Sequence, residues 1–383
     1  MRPLFFFVDS LRSIIELSGL LYYRYSTVKI SEINRLAEEA LSGKILDAEL
    51  CLQIFEKDTP LLPLLQAAYT VRKTYWQDDV TIHILNNAQN GSCAEDCHYC
   101  AQAKGSKAKI EPYAMKSEAE IISEAKTAHE SGAFRYCMVL SGRGPKQKRI
   151  ERISDTIKKI KGAYPIEVCL SAGLIDQKGA ATLKEAGLDR LNHNLNAAES
   201  MYEKICTTHT YQDRMNTLIN AKSAGLGVCS GLIVGMGETL EDIIQVALEL
   251  RKVGAKSIPV NFFIPIPGTK LTIKPNLDPE KCLRILCLFR FLNPEAEVRA
   301  AAGRELHLRH LQSLCFYPAN SVFMDGYLNT QGTKMSETLE MIQDAGFKIR
   351  SEYDISELLK KVKNPPTSAV KLKDIKDLRP TVA

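Results

Sequence analysis

GVCSGLIVGMGETLEDIIQVALELRKVGAKSIPVNFFI, residues 227–264, changes its periodicity twice. GVCSGLIVG is rich in β-formers, and TLEDIIQVALELRKVG repeats its apolar residues at helical spacing and ends in glycine. SIPVNFFI then returns to strand character. The stretch is a strand–helix–strand unit, and the same unit recurs in both directions. VTIHIL (80–85), RYCMVLS (135–141), IEVCLS (166–171), RLNHNL (190–195), EVRAAA (297–302) and NSVFMDG (320–326) complete a set of eight strands. SEAEIISEAKTAHESG, DQKGAATLKEAG and YQDRMNTLINAKSAG are helical connections of the same kind. Eight strands that alternate with helices predict an α/β fold, a (β/α)8 barrel of the TIM type, over residues 79–332. Residues 28–78 read as N-terminal helices capping one end of it, and 333–383 as a closing helix followed by a polar, proline-containing tail. The chain shows no internal repeat and no linker that would divide it.

Composition narrows the function classes. The 383 residues are 45% hydrophobic and 25% charged, as expected for a soluble globular chain. Lysine plus arginine exceed aspartate plus glutamate by five, with no arginine-rich run, which argues against nucleic acid as a partner. Eleven cysteines, an odd number without a secretory signal, point to reduced thiols used as ligands and so to the cytoplasm. The opening segment 1–27 is apolar, but Arg2, Asp9, Arg12 and Glu16 interrupt it before a spanning length is reached. It reads as a dispensable extension or an upstream start, or else as a surface helix with weak membrane contact.

CAEDCHYC (93–100) follows the first strand through NNAQNGS, at the barrel mouth where this fold carries its active sites. Cys93, Cys97 and Cys100 supply three ligands to a four-cornered metal group, so one corner stays open for an outside ligand, as in a catalytic 4Fe-4S cluster. Zinc completed by His98 or a distant histidine, or thiols without metal, are the alternatives; C-x3-C-x2-C is not a usual zinc spacing. Three further cysteines lie in strands: Cys137, Cys169 and Cys229. A strand cysteine is commonly an inert core residue. Arg135 shares a face with Cys137, however, and Asn192, Asn194 and Asn196 share a face with one another, and polar groups in a barrel strand must find partners. Arg299 in EVRAAAGRE either pairs with an acid such as Glu297 or Glu305, or joins the three thiolates as the fourth ligand of a second cluster.

The cysteine loop resembles that of the radical S-adenosylmethionine superfamily, in which the methionine moiety chelates the open iron and one electron cleaves the sulfonium to a 5'-deoxyadenosyl radical. That resemblance implies that Tyr99 lies near the adenine and that GLIVGMGE (231–238), with Gly235, supports the adenosine. From about residue 28 to about residue 350 the chain resembles the biotin synthase family, through GSCAEDCHYCAQ, FRYCM, LNHNLN, CTTHTYQDRMNTL, VCSGLIVGMGET, SIPVNFFIPIPGTKL, VRAAAGREL and YPANSVFMDGYLNT in order. The family resemblance implies that Cys137, Cys169, Cys229 and Arg299 ligate a 2Fe-2S cluster, that Asn194 and Asn261 hold dethiobiotin, and that Asn196 lies by the ribose of S-adenosylmethionine.

The implied reaction inserts sulfur between C6 and C9 of dethiobiotin, with hydrogen abstraction at each carbon and sulfide drawn from the 2Fe-2S cluster. A homodimer, an electron donor such as flavodoxin or ferredoxin, and iron–sulfur assembly machinery are implied as partners. Ala94, where many members carry proline, Asn196, where some carry aspartate, and the long N-terminus depart from the family pattern without removing a ligand. Cys51, Cys206, Cys282, Cys287 and Cys315 match no ligand position. The competing readings are another radical enzyme on the same barrel, such as the hydrogenase-maturation or methylornithine-forming relatives, and a zinc-containing scaffold protein.

Overall fold

The structure is a computed structural model that describes residues 29–362. The expected extension at 1–27 and the polar tail after the last helix lie outside those residues. Eight parallel strand positions close into a barrel, as the alternation of strands and helices predicts. They are Asp79–Gln89, Arg135–Leu140, Glu167–Ser171, Arg190–Asn192, a fifth in two pieces, Ser257–Phe262, Glu297–Ala300 and Ser321–Phe323. The last pairs with the first through Thr81 opposite Ser321, which removes both sheet edges.

Strand five is broken where the sequence reads as continuous over 227–235. Gly227–Cys229 and Leu232–Val234 flank Ser230 and Gly231. A Cβ on Gly231 would lie 1.9 Å from the Pro259 carbonyl oxygen, so the backbone is pressed against strand six there and leaves the ladder. Strand four also ends early, at Asn192 instead of residue 195, because the chain bends to place Asn196 at φ +70°. Strand one instead runs past the expected 80–85, to Gln89, and carries the chain up to the barrel mouth.

The connecting helices follow their end signals. Helix Leu240–Val253 starts with a Thr239–Asp242 capping box and stops at Gly254 in the left-handed conformation. It lays Ile243, Ile244, Val246, Ala247, Leu250 and Val253 on the barrel, each large side chain contributing about 1.5–3 kcal/mol on burial. Below the barrel lie helices at 29–41, Ala48–Gln53 and Leu61–Trp76, the last of them fixed by buried Arg72. Its guanidinium donates to the carbonyls of Ala319 (3.1 Å) and Asp79 (2.8 Å), at the starts of strands eight and one. Lys348–Ile349 adds a short parallel strand beside Asp79 and Val80, and helices Met335–Asp344 and Ile355–Val362 flank it. No helix among the described residues is long and apolar enough to cross a membrane.

Candidate active site

Strand one delivers the chain to Gly91 and Ser92, both at positive φ, and these turn it into the cysteine loop over the C-terminal mouth. Two acids within the motif hold the loop in shape. Asp96 accepts from the Thr207 amide (2.9 Å), the Thr208 amide (3.2 Å) and the Thr207 hydroxyl (2.5 Å). Glu95 accepts from the Thr208 hydroxyl (2.7 Å) and Arg143 (3.2 Å) and pairs with His209 Nδ1. Burial pushes both carboxyls up, but these donors outweigh it and keep them ionised below the usual carboxylate range.

The loop thus rests on the segment Cys206–His209. Cys97 Sγ lies 3.9 Å from Cys206 Sγ, and Cys206 lies 3.3 Å from His209 Nδ1. Donor atoms of these three buried residues all fall within 4.8 Å of one another, a group able to hold a metal. The hydrogen bond from Cys97 brings the Cys206 thiol down to about 4, against burial and with help from His209 and Thr208. The same bond, together with burial, raises Cys97, and burial raises Cys93 and Cys100. His98 does not turn inward: its Nδ1 meets the Lys204 carbonyl at 2.8 Å on the outer side, so it is no fourth ligand.

Cys93, Cys97 and Cys100 open into a cavity of about 890 Å³ together with Tyr99, Asn194, Asn196, His209 and Arg214. Arg214 is buried, donates from Nε to His209 Nε2 (3.0 Å) and to the Tyr202 hydroxyl, and from Nη1 to the Asn194 carbonyl (2.7 Å). It brings a fixed cation to the cavity wall. An adjoining cavity of about 730 Å³ shares Tyr99, Asn194, Asn196, Tyr327 and Leu328 and adds Asn261, Phe262, Phe263, Asn329 and Thr330. Asn196 donates to the Tyr99 hydroxyl, which joins the cysteine loop to the end of strand four. Asn261 spans two neighbours, donating to the Leu232 carbonyl (2.9 Å) and accepting from the Ala302 amide (3.2 Å). Gly235 stands behind the wall, its φ of +102° and close approach to Leu277 demanding glycine; Ile233 of the same segment faces the cavity.

Deeper in the barrel, Cys137, Cys169 and Cys229 form their own cluster with Leu85 and Phe323 against it. Register explains the meeting: Cys137 pairs with Cys169, and Cys229 pairs with Asn192 on the strand between. They line a cavity of about 340 Å³ with Arg299, Asn192 and Tyr327, and Asn192 and Tyr327 also border the 890 Å³ cavity above. Hydrogen bonds from Cys169 draw Cys137 and Cys229 below the ordinary thiol value, against burial, and Arg299 assists; Cys169 itself is pushed well up.

Arg299 takes the ion pair that one of its sequence readings expects, and its place on the cavity wall leaves the other open. It lines the thiol cavity and also pairs with Glu297, while Glu305 pairs with Arg304 instead. Its Nε donates to Ser321 (3.0 Å) and one Nη to Ser257 (2.9 Å). Glu297, fully buried, accepts two bonds from Arg135 at 2.8 and 2.9 Å and one from Ser257 at 2.8 Å. Burial penalises its charge, but Arg135, His83 and Arg299 reverse that and hold the carboxyl well below its usual range. Arg135 is also held by Glu167 at 2.8 Å, so it is Arg299, on the wall of the thiol cavity, that presents positive charge to the thiols, and an anionic group there would be balanced.

Sequence reasoning gave no part to Glu95, Asp96, His209 and Arg214. All but the two acids lie in CTTHTYQDRMNTL, a stretch that stands out in the sequence without any spacing that assigns roles.

The fold and the loop define the class. A model of the radical SAM superfamily matches residues 90–250, and one of the Biotin and Thiamin Synthesis associated domain matches residues 259–348. The chain is 56% identical over 313 residues to a biotin synthase of Magnetococcus marinus, covering 82% of this chain and 98% of that one. It is 53% identical to a biotin synthase of Leptospira biflexa, over 79% of this chain and 86% of the relative. The chain belongs to the biotin synthase family. It is therefore an enzyme of radical SAM type. Among solved structures, methylornithine synthase (TM-score 0.71, 21% identity, 85% of this chain and 100% of that one) has the same fold. So does the hydrogenase maturase HydG of Carboxydothermus hydrogenoformans (TM-score 0.72, 20% identity, 89% and 85%).

Proposed function

We propose that the chain converts dethiobiotin to biotin by inserting sulfur between C6 and C9, with Cys93, Cys97 and Cys100 holding a 4Fe-4S cluster and Cys137, Cys169, Cys229 and Arg299 a 2Fe-2S cluster. The observation that carries this reading is the stacking of two thiol sets along one barrel interior, joined by cavities that share Asn192 and Tyr327. The donor sets fit these groups. The lower three are contiguous unpaired thiols facing a cation, and the upper three leave room for a ligand beside Arg214. When bound, the two clusters supply the electron that cleaves S-adenosylmethionine and the sulfide that is inserted.

The protein's own part is placement and exclusion. Arg214 suits the methionine carboxylate, a charge-assisted bond in a dry site. Tyr99, which burial keeps a neutral phenol, and Asn196 sit where an adenosine would be lined, with Ile233 as the apolar wall and Gly235 fixing its turn. Asn194 and Asn261 present amides to the adjoining cavity, matching the ureido group of dethiobiotin with donors and acceptors. Closed walls of Phe262, Phe263 and the Tyr327–Thr330 segment limit what a primary radical meets. The test is anaerobic incubation with dethiobiotin, S-adenosylmethionine and reductant. Biotin together with 5'-deoxyadenosine is expected, whereas 5'-deoxyadenosine without biotin would leave only a radical enzyme of another substrate.

A further inference from the structure

His83 of strand one is wholly buried, and nothing in the reaction above uses it. Strand side chains alternate in direction, so it shares the inward face with Leu85, which packs against the three strand thiols. Leu85 stands opposite Cys137 and His83 opposite Arg135, one layer further down. On its other side His83 pairs with Phe323 of strand eight. The imidazole meets the Phe323 ring edge to face, with centroids 6.1 Å apart, and Phe323 in turn carries the Arg299 guanidinium 4.8 Å from its centroid. Packing alone therefore fixes the plane of the imidazole beside Arg299.

The neighbours also fix its proton. Nδ1 lies 3.2 Å from Arg135 Nη1, and a guanidinium can only donate, so Nδ1 is the bare acceptor. The single ring proton is then on Nε2, which lies 3.1 Å from Ser321 Oγ and 3.2 Å from Thr81 Oγ1. Burial, with Arg299 and Arg135, lowers the imidazole far below its ordinary value and keeps this neutral form. Ser321 Oγ accepts from His83 Nε2 on one side and from Arg299 Nε, at 3.0 Å, on the other. One Nη of Arg299 goes to Ser257 at 2.9 Å and to Glu297. The other Nη has no hydrogen bond among the described residues, and Arg299 lines the thiol cavity.

We propose that His83 is a positioning residue for the lower cluster: by holding Ser321 it fixes the roll of the Arg299 guanidinium and keeps the spare nitrogen on the side of the thiols. The inference rests on the proposed function, since it needs the 2Fe-2S cluster held by Cys137, Cys169, Cys229 and Arg299. Arg135 and Arg299 reach the same carboxylate oxygen, Glu297 Oε1, and repel each other there. His83 accepts from the first and orients the serine that accepts from the second. A neutral ring does this without adding a third positive charge, which a lysine in its place would bring.

The experiment reconstitutes the full chain with iron and sulfide and reads the 2Fe-2S absorption and circular-dichroism bands, the midpoint potential and the rate at which a chelator removes that cluster. His83→Phe keeps a ring and its packing but has neither nitrogen, and Ser321→Ala breaks the same path at its other end. Each should shift the bands and the potential in the same direction and speed cluster loss by about 2- to 10-fold, as for one lost hydrogen bond. The double variant should go little further, because both changes lie on one path. His83→Gln, with one acceptor and one donor, should restore the wild-type bands. Wild-type bands and potential in His83→Phe overturn the proposal, as do effects of His83→Phe and Ser321→Ala that add in full, or a Gln variant altered as much as the Phe variant. Where His83→Phe does not fold, Ser321→Ala decides alone, and wild-type bands there overturn the proposal. Wild type that takes up no 2Fe-2S cluster would instead reject the underlying functional reading.

Discussion

Two thiol sets in this barrel are built by opposite means. The upper one lies on a loop, three cysteines within eight residues, held from outside by Glu95 and Asp96 gripping Thr207 and Thr208. The lower one is spread over strands two, three and five and exists only because parallel register brings Cys137 beside Cys169 and Cys229 beside Asn192. A loop site can be tuned without moving the sheet, and an open mouth admits a small-molecule ligand. A strand site is rigid and enclosed, with its charge set by the Glu297, Arg135 and Arg299 network beneath it. That division suits one site that exchanges ligands and another that holds a reagent out of solvent.

The most severe test of the division is Cys97→Ala. Loss of one loop thiolate should abolish S-adenosylmethionine cleavage and biotin formation together, read by 5'-deoxyadenosine release from anaerobically reconstituted protein. Persistent cleavage would remove the loop from the chemistry. Cys169→Ala should separate the two sites: biotin formation lost, while the upper cluster assembles and cleavage of S-adenosylmethionine continues. Wild-type biotin yield from that variant would return the strand cysteines to plain packing.

Next in size is Glu297→Gln, which leaves buried Arg299 without a carboxylate and Arg135 with Glu167 alone, and should cost about 3–5 kcal/mol of stability. The sign of its pH dependence follows from the depressed carboxyl. Stability from Glu297 is complete above its ordinary value of 4.5 and is lost as pH falls toward its folded value. Denaturant midpoints between pH 3 and 7 should therefore drop on the acid side in wild type and flatten there in Glu297→Gln. Arg299→Met is milder, because Glu297 keeps Arg135 and Ser257. It should retain measurable biotin formation with a changed 2Fe-2S spectrum; an unchanged spectrum would take Arg299 out of the ligand shell.

The contrast also explains what the sequence could and could not tell. The barrel was legible because the alternation of strands and helices survives locally, and the loop because its three cysteines are neighbours in the chain. Strand cysteines were visible only as suspects; their meeting depends on a register that no local pattern encodes. The break at Gly231 escaped notice because it is caused by Pro259, a residue distant in sequence. Arg214 and His209 escaped for the same reason: a helix and a loop bring them under Cys97 without any characteristic spacing.

The smallest expected effect concerns Cys206, the residue that blurs the two-site picture. Its sulfur lies 3.9 Å from Cys97, close to the roughly 3.8 Å that separates two thiolates on one tetrahedral zinc. By distance alone, Cys97, Cys206 and His209 could close around a single ion. The surroundings argue against it. His209 spends Nδ1 on Glu95, and its Nε2 takes a bond from Arg214, whose guanidinium, 3.0 Å away, would repel a dication. Cys206 is then a packing residue that hydrogen-bonds with Cys97 until a cluster claims that thiol. Cys206→Ser should keep full iron content and change S-adenosylmethionine cleavage by no more than about twofold, with a stability loss of about 1 kcal/mol. Metal analysis of the variant decides between the two. Retained iron and sulfide fix the upper site to the three loop cysteines, and metal lost with Cys206 would move its ligand set onto Cys97, Cys206 and His209.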